Sequence, residues 1–323
     1  MFRTELIPKQ SRDRITLKHR LVTAGSCFAD AIGSRLTTHK FECLSNSFGV
    51  SYNPHAIHKA LLYALHNQLP PERTYLMNQG IHLNYDFHSA FGSPDKDNLK
   101  QKLSNIISAS HQFLKNANWL LITYGTAWVY TRIDTGEIVA NCHKVPSSNF
   151  KKELFTQKKF LESFETFYNE LLTFNAHINL ILTVSPVRHL KDTLEMNSVS
   201  KSVLRLTCHT LSERYERVHY FPAFEIMMDD LRDYRFYKSD MIHPSFEAEE
   251  YIWQKFLHAF ADEPTKKFIA EWTGILQALG HKPFHPASAA HQQFVKDTLK
   301  KLEPLANLVN VEKELNQLKA QLL

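Results

Sequence analysis

Cysteine is scarce in this chain, and the four that occur, at 27, 43, 142 and 208, share no framework spacing. That excludes a disulfide scaffold and predicts free thiols in a reducing compartment. Long apolar runs are missing as well. None approaches the roughly 18 residues of a membrane span, and Met1-Phe-Arg-Thr-Glu-Leu-Ile-Pro8 has no apolar centre long enough for a secretory signal. The expectation is a cytoplasmic protein. Strong charge of one sign is absent too. A formal net charge of +5 is spread over 323 residues, and Lys151-Lys152, Lys158-Lys159 and Lys266-Lys267 read as solvated helix faces, so nucleic acid is not implied as a partner. The 18 histidines raise the question of metal, yet no His-Glu-x-x-His or Cys-x-x-Cys spacing occurs, which leaves no metal-ligand set. No low-complexity segment or internal repeat interrupts the chain.

What is present is an ordinary globular composition, 43% hydrophobic and 22% charged, on a length that fits one α/β core with appended helices. Trp119 to Tyr124 and Ile178 to Val184 are continuous apolar runs of the length of buried parallel strands. Shorter runs at Phe41 to Leu44 and Val218 to Phe221 read as further strands. Helical periodicity covers about Leu99 to Leu114, Phe155 to Phe174 and Asn197 to Tyr215. Val129 to Ile133 and Glu137 to Ala140, joined by Asp134-Thr-Gly136, form a hairpin pattern, while Asn67 to Asp97 shows little periodicity and reads as a long loop.

The stretch Leu21-Val-Thr-Ala-Gly-Ser-Cys-Phe-Ala-Asp30 carries the first chemical signal. An apolar run ends at Gly25, and Phe28, Ile32 and Leu36 then recur once per helical turn, so Ser26 falls in the crossing from strand to helix. Unpaired N–H groups there suit an oxyanion on an acyl group attacked by Ser26. A second signal lies more than two hundred residues on, in the run ending Ser-Asp-Met-Ile-His-Pro244. Asp240 and His243 stand three apart, which places them on one face of a helical turn. A serine hydroxyl needs a base to take its proton, and the base needs a carboxylate to orient it. Asn53-Pro54 reads as cap and first position of a helix running to about Leu65. Cys27, beside the serine, is expected to pack under the helix rather than react.

Gly25-Ser-Cys-Phe-Ala29 is the signature of the GSCFA family, which this chain resembles. The likeness extends through Asn53-Pro54, Thr123 to Tyr130, Asn141-Cys-His-Lys-Val-Pro146, Val184 to His189, and Tyr220-Phe-Pro to Pro244, covering roughly residues 20 to 260. It implies membership of the SGNH (GDSL-like) hydrolase group, hence a flavodoxin-like three-layer sandwich with a mostly parallel central sheet. It also implies an oxyanion donor from a loop after the second strand, where Gly49 lets backbone approach a ligand. The group's third loop often supplies an Asn amide, but here Gly125 is followed by Thr126-Ala127-Trp128, so Thr126, Asn53 and Asn141 are all open as substitutes. His143 matches a family motif, which leaves a site-lining role and a structural one both open, and Arg188 or His189, just beyond a strand end, is expected to face the cleft.

These readings give two domains, a catalytic one over 1–262 and a helical C-terminal extension over 263–323 packed on it. Leu308, Val311, Leu315, Leu318 and Leu322 form a seam for the body or for a second copy of the chain, leaving a homo-oligomer through the C-terminal helix open. The expected activity is that of a serine hydrolase. Ser26 attacks an ester carbonyl, His243 carries the proton, Asp240 orients His243, and the N–H groups of Ser26 and Gly49 stabilise the oxyanion. The expected substrate is a small-molecule or glycan acyl ester, and no cofactor is required. Alternatives are an O-acyltransferase with the same triad and a non-catalytic binding module.

Overall fold

The apolar runs determine which segments become sheet. In a computed structural model, which describes residues 4–322, β1 (Arg20–Gly25) passes directly into α1 (Cys27–Thr38), followed by β2 (Glu42–Ser45) and α2 (Pro54–His66). Next come β3 (Tyr75–Asn78), β4 (Ile81–Asn84), α3 (Lys96–Leu114) and β5 (Trp119–Tyr124). A small antiparallel sheet of β6 (Trp128–Arg132), β7 (Ile138–Val139) and β8 (Phe150–Leu154) precedes α4 (Gln157–Phe174), β9 (Asn179–Val184), α5 (Thr193–Arg214) and β10 (Val218–Phe221). One turn, α6 (Ala223–Glu225), continues as a π-helical turn to Asp230, and α7 (Phe246–Phe260) closes this part.

The central sheet has the order β2-β1-β5-β9-β10, and every pairing is parallel. Its register sets Gly25 opposite Thr123 and Thr123 opposite Thr183. Because side chains alternate, Leu120, Ile122, Tyr124, Leu180 and Leu182 share one core with residues of α2, α3, α4 and α5. Trp119, Leu121, Ile181 and Phe221 face the other way, into a core shared with α1 and α7. Burial on both faces is why the central strands read as unbroken apolar runs. The chain leaves β1 toward β2 on one side and returns to β5 on the other, so the strand order reverses between β1 and β5. Open α/β sheets place their clefts at the carboxyl ends of such strands. Ser26 follows β1 there.

The helices α8 (Glu263–Gly280), α9 (Ala289–Leu302) and α10 (Glu312–Lys319) extend the α1 side of the core. Trp272 Nε1 donates to the Thr38 carbonyl at 2.8 Å, and Lys40 Nζ reaches Glu314 Oε1 at 2.8 Å. Val311 and Leu318 of the leucine seam are buried in that core, while Leu308 is exposed. All of the seam but Leu308 thus packs on this chain's own core.

Two expectations are corrected. Residues 67–97 are not one long loop: β3 and β4 pair antiparallel across Gln79 and Gly80, and Tyr85 and Phe87 are buried behind them. The hairpin at 128–139 gains a third strand, β8, where the sequence suggested the approach to a helix. Among the described residues no helix is long and apolar enough to cross a membrane.

Candidate active site

The crossing from β1 to α1 requires glycine at position 25. Its φ is +129°, and a Cβ there would lie 2.1 Å from the Thr123 carbonyl oxygen. Asn46 locks the turn: the Gly25 N–H donates to Asn46 Oδ1 at 3.0 Å, and Asn46 Nδ2 donates to the Gly25 carbonyl at 3.3 Å. Ser26 then takes the N-cap position of α1 with extended backbone, but its side chain caps nothing. Its Oγ is buried and has no hydrogen-bond partner among the described residues. A buried hydroxyl without a partner costs stability, and such groups in folded proteins call for an explanation.

Asp240 and His243 meet on a different local structure from the one their spacing suggested. The segment is not a helical turn: Met241 is left-handed at φ 57°, and the turn is held from inside by the carboxylate. Asp240 Oδ1 accepts from the N–H groups of Ile242 at 2.8 Å and His243 at 3.0 Å, and Oδ2 binds His243 Nδ1 at 2.7 Å. The bonds from the His243 and Ile242 N–H groups, then the imidazole, hold the Asp240 pKa down to about 2. Among the described residues His243 Nε2 has no hydrogen-bond partner. The Arg188 N–H donates to the Ile242 carbonyl at 3.3 Å, tying this turn to the segment beyond β9. No hydrogen bond joins Ser26 to His243 in this structure.

The donors expected at the oxyanion are already committed. The Ser26 N–H donates to the Thr123 carbonyl at 3.0 Å and the Gly49 N–H to the Asn46 carbonyl at 2.8 Å. Gly125 and Thr126 both give their N–H groups to the Tyr52 carbonyl, at 2.8 and 3.0 Å. Asn53 caps α2 through Ala56 and donates to the Val139 carbonyl. Thr126 Oγ1 is engaged by Ser200, and Asn141 bridges Ser89 and the His143 N–H. Among the described residues the N–H groups of Cys27 and Phe28, in the first turn of α1, have no carbonyl partner. They face the Cys27 thiol, yet burial, followed by Asp30, raises that thiol's pKa. Cys27 is therefore protonated at neutral pH, unlike an activated cysteine.

Beyond this edge opens a cleft of about 680 Å³ into which the structure brings Asn53, Thr126, His143, Arg188 and His189, together with Ile242 of the Asp240–His243 turn. His143 is left-handed at φ 50° and structurally satisfied, with Nδ1 on Ser89 Oγ and Nε2 on the Asn84 carbonyl. His189 packs edge-on against Tyr52, and burial lowers its pKa to about 4, so it is neutral. Ser26, Gly49, Asp240 and His243 are outside the cleft lining.

The model of the GSCFA family matches residues 20–256, from the first residue of β1 into α7. The chain belongs to the GSCFA family. A second model, described as the C-terminal domain of GSCFA domain proteins, matches residues 272–323. No curated protein matches the chain. In this GSCFA protein the matched span contains every central strand, Ser26 and the Asp240–His243 pair.

One side chain at the GSCFA sheet edge escaped the sequence reading. Lys201 of α5 is buried and donates to the carbonyls of Gly125 at 2.8 Å and Ser185 at 2.7 Å, clasping the ends of β5 and β9. Burial lowers its pKa to about 7. A neutral amine has two N–H donors, and two carbonyls take them. The signal was its place on the stripe Asn197, Lys201, Leu204, Cys208 and Leu211, all buried.

Proposed function

We propose that this GSCFA protein is a serine esterase of the SGNH (GDSL-like) type acting on an acyl ester. The observation that carries the reading is the Asp240–His243 pair at 2.7 Å, with Nε2 unbonded, at the same sheet edge as the unpartnered Ser26 hydroxyl. Ser26 Oγ attacks the ester carbonyl while its proton passes to His243 Nε2, and the Oγ–C bond forms. Asp240 fixes the tautomer and balances the imidazolium. As the tetrahedral centre collapses, the bond to the leaving oxygen breaks and His243 returns the proton to it. Water then attacks the acyl-enzyme by the same route and frees Ser26. The Ser26–His243 hydrogen bond forms when substrate is in place, as catalytic bonds tighten from their resting geometry. With the Ser26 and Gly49 N–H groups committed, the oxyanion falls to the N–H groups of Cys27 and Phe28, where the positive end of α1 adds to the field.

A fluorophosphonate probe tests this directly. Wild type and Cys27→Ala are expected to label, Ser26→Ala not at all, and His243→Ala weakly. Labelling that survives in Ser26→Ala would remove the serine from the reaction. An unlabelled wild type, inert on a panel of short acyl esters, would leave a binding protein.

A further inference from the structure

The cleft beside the Asp240–His243 turn has more cations than acids in its lining. Lys144, Arg188 and Lys191 line it, and among the described residues none of the three has a carboxylate within ion-pair distance. The one acid in the lining, Asp192, is already paired with Lys152 from β8. Arg188 is held flat by stacking, its guanidinium carbon 4.1 Å from the Tyr237 ring centre and 5.3 Å from that of Tyr234. Its backbone N–H meets Ile242, so this fixed fork belongs to the turn that carries His243. Lys144 follows His143, and the two hold consecutive left-handed conformations at φ 59° and 50°. Non-glycine residues rarely adopt that backbone, and pairs of them recur at ligand sites. Three unpaired cations converging on one cavity repel one another unless an anion joins them.

We propose that the substrate of this site is an acyl ester of an acidic alcohol, whose carboxylate or phosphate is bound by Arg188, Lys191 and Lys144. The inference rests on the esterase reading. The three cations place the acid group of the alcohol, and Trp128, Tyr130 and Phe150 of the same lining offer apolar surface for its carbon frame. Arginine's planar fork fits both carboxylate and phosphate, and the lysines add point charge.

The test uses the full-length Ser26→Ala protein, which cannot turn its ligand over, and calorimetric titration with three probes: mono-O-acetyl methyl glucuronide, mono-O-acetyl glucose 6-phosphate and mono-O-acetyl methyl glucoside. One or both acidic probes are expected to bind about tenfold tighter than the neutral one, and added salt should erase the difference. Whichever acid binds tighter names the anion. The preference should vanish when Arg188→Gln and Lys191→Gln are combined. It should shrink in Lys144→Gln with Lys191→Gln, both at exposed positions that leave the fold and the Asp240–His243 turn intact. Equal binding of the three probes, no binding of any, or a preference that survives both double variants would overturn the proposal. Turnover of neutral 4-nitrophenyl acetate by wild type reports on the esterase reading alone. Turnover without anion preference sinks only the proposal, and anion preference without turnover sinks the esterase reading and with it the ester, leaving an anion-binding cleft.

Discussion

Asp240 is exposed over much of its surface, yet three hydrogen bonds keep its carboxyl ionised down to a pH of about 2. The residue closes its own turn and orients the His243 ring at once, and substitution separates the two roles. Asp240→Asn keeps an oxygen for the two N–H groups but places an amide where the imidazolium needs a negative charge. Turnover should fall by about a hundredfold or more with KM little changed, and an ester assay at full activity would reduce Asp240 to turn capping. The pairing itself was suggested by the three-residue spacing, but on a helical turn that the chain does not form. Its backbone was not, since nothing marks Met241 for a left-handed conformation, which the carboxylate's bonds and main-chain bonds of Lys238 with Met241 and His243 hold in place. Lys201 was hidden because a lysine on a helix ordinarily points to water. Its folded pKa of about 7 lies below the 10.5 of an unperturbed lysine, so between these values the unfolded chain holds a proton that the folded chain has released. Stability from this group therefore rises with pH across that window. Comparing wild type with Lys201→Met by thermal melts at pH 7 and pH 9.5, the wild type should gain on the variant as pH rises. A constant offset would mean that Lys201 stays charged.

At the scale of elements, the approach of α1 to the sheet depends on two glycines. A Cβ on Gly25 would meet the Thr123 carbonyl, which is backbone of a central strand and cannot move aside. A Cβ on Gly33 would meet Ser45 Oγ at 2.0 Å and Ser45 Cβ at 2.7 Å, where a hydroxyl can rotate but the strand must also yield. Urea titrations should therefore show Gly33→Ala losing about 1–3 kcal/mol, with Gly25→Ala worse and failing to fold at ordinary temperature. The reverse order would mean that α1 is freer than its contacts imply. The central strands were legible because their burial on both faces demands apolar residues throughout. The ribbon β3–β4 was not, because its turn uses Asn78-Gln79-Gly80, with Gln79 at φ 52° and Gly80 at φ 77°, in place of the usual Asn-Gly pair. Strand β8 carries Lys151-Lys152-Glu153 along a sheet edge, and charge there discourages pairing with other chains while masking the strand pattern.

Across the whole molecule the buried imidazoles outnumber what any one site needs. His39, His55, His58, His143 and His189 are all held below the ordinary imidazole value, with burial the leading cause in each. His58 is the extreme case, enclosed between Phe160, Phe164 and Phe167 and bonded to Ser163 and Tyr124. The sequence displayed the histidines and, by their spacing, argued against metal; it could not display their burial, which belongs to the packing of α2 on α4 and of the ribbon on the small sheet. In the unfolded chain each takes up a proton near pH 6.5, whereas the folded chain refuses it until lower pH. Their contribution is present above that pH and is lost as pH falls toward the folded values. The depressed carboxylate of Asp240 acts in a separate window, below about pH 4, so it does not offset the histidines in the interval from 6.5 to 5. On the alkaline side the ordering reverses once thiols and then tyrosines titrate: all four cysteines, with Tyr63, Tyr124 and Tyr220, are held above their usual values, so the unfolded chain loses those protons first and stability declines beyond about pH 9. With Lys201 adding stability between pH 7 and that limit, the melting temperature should fall by several degrees from pH 7 to pH 5 and reach its maximum on the alkaline side of neutrality. A melting temperature flat from pH 7 to pH 5 would show that these imidazoles are reached by water in the folded protein.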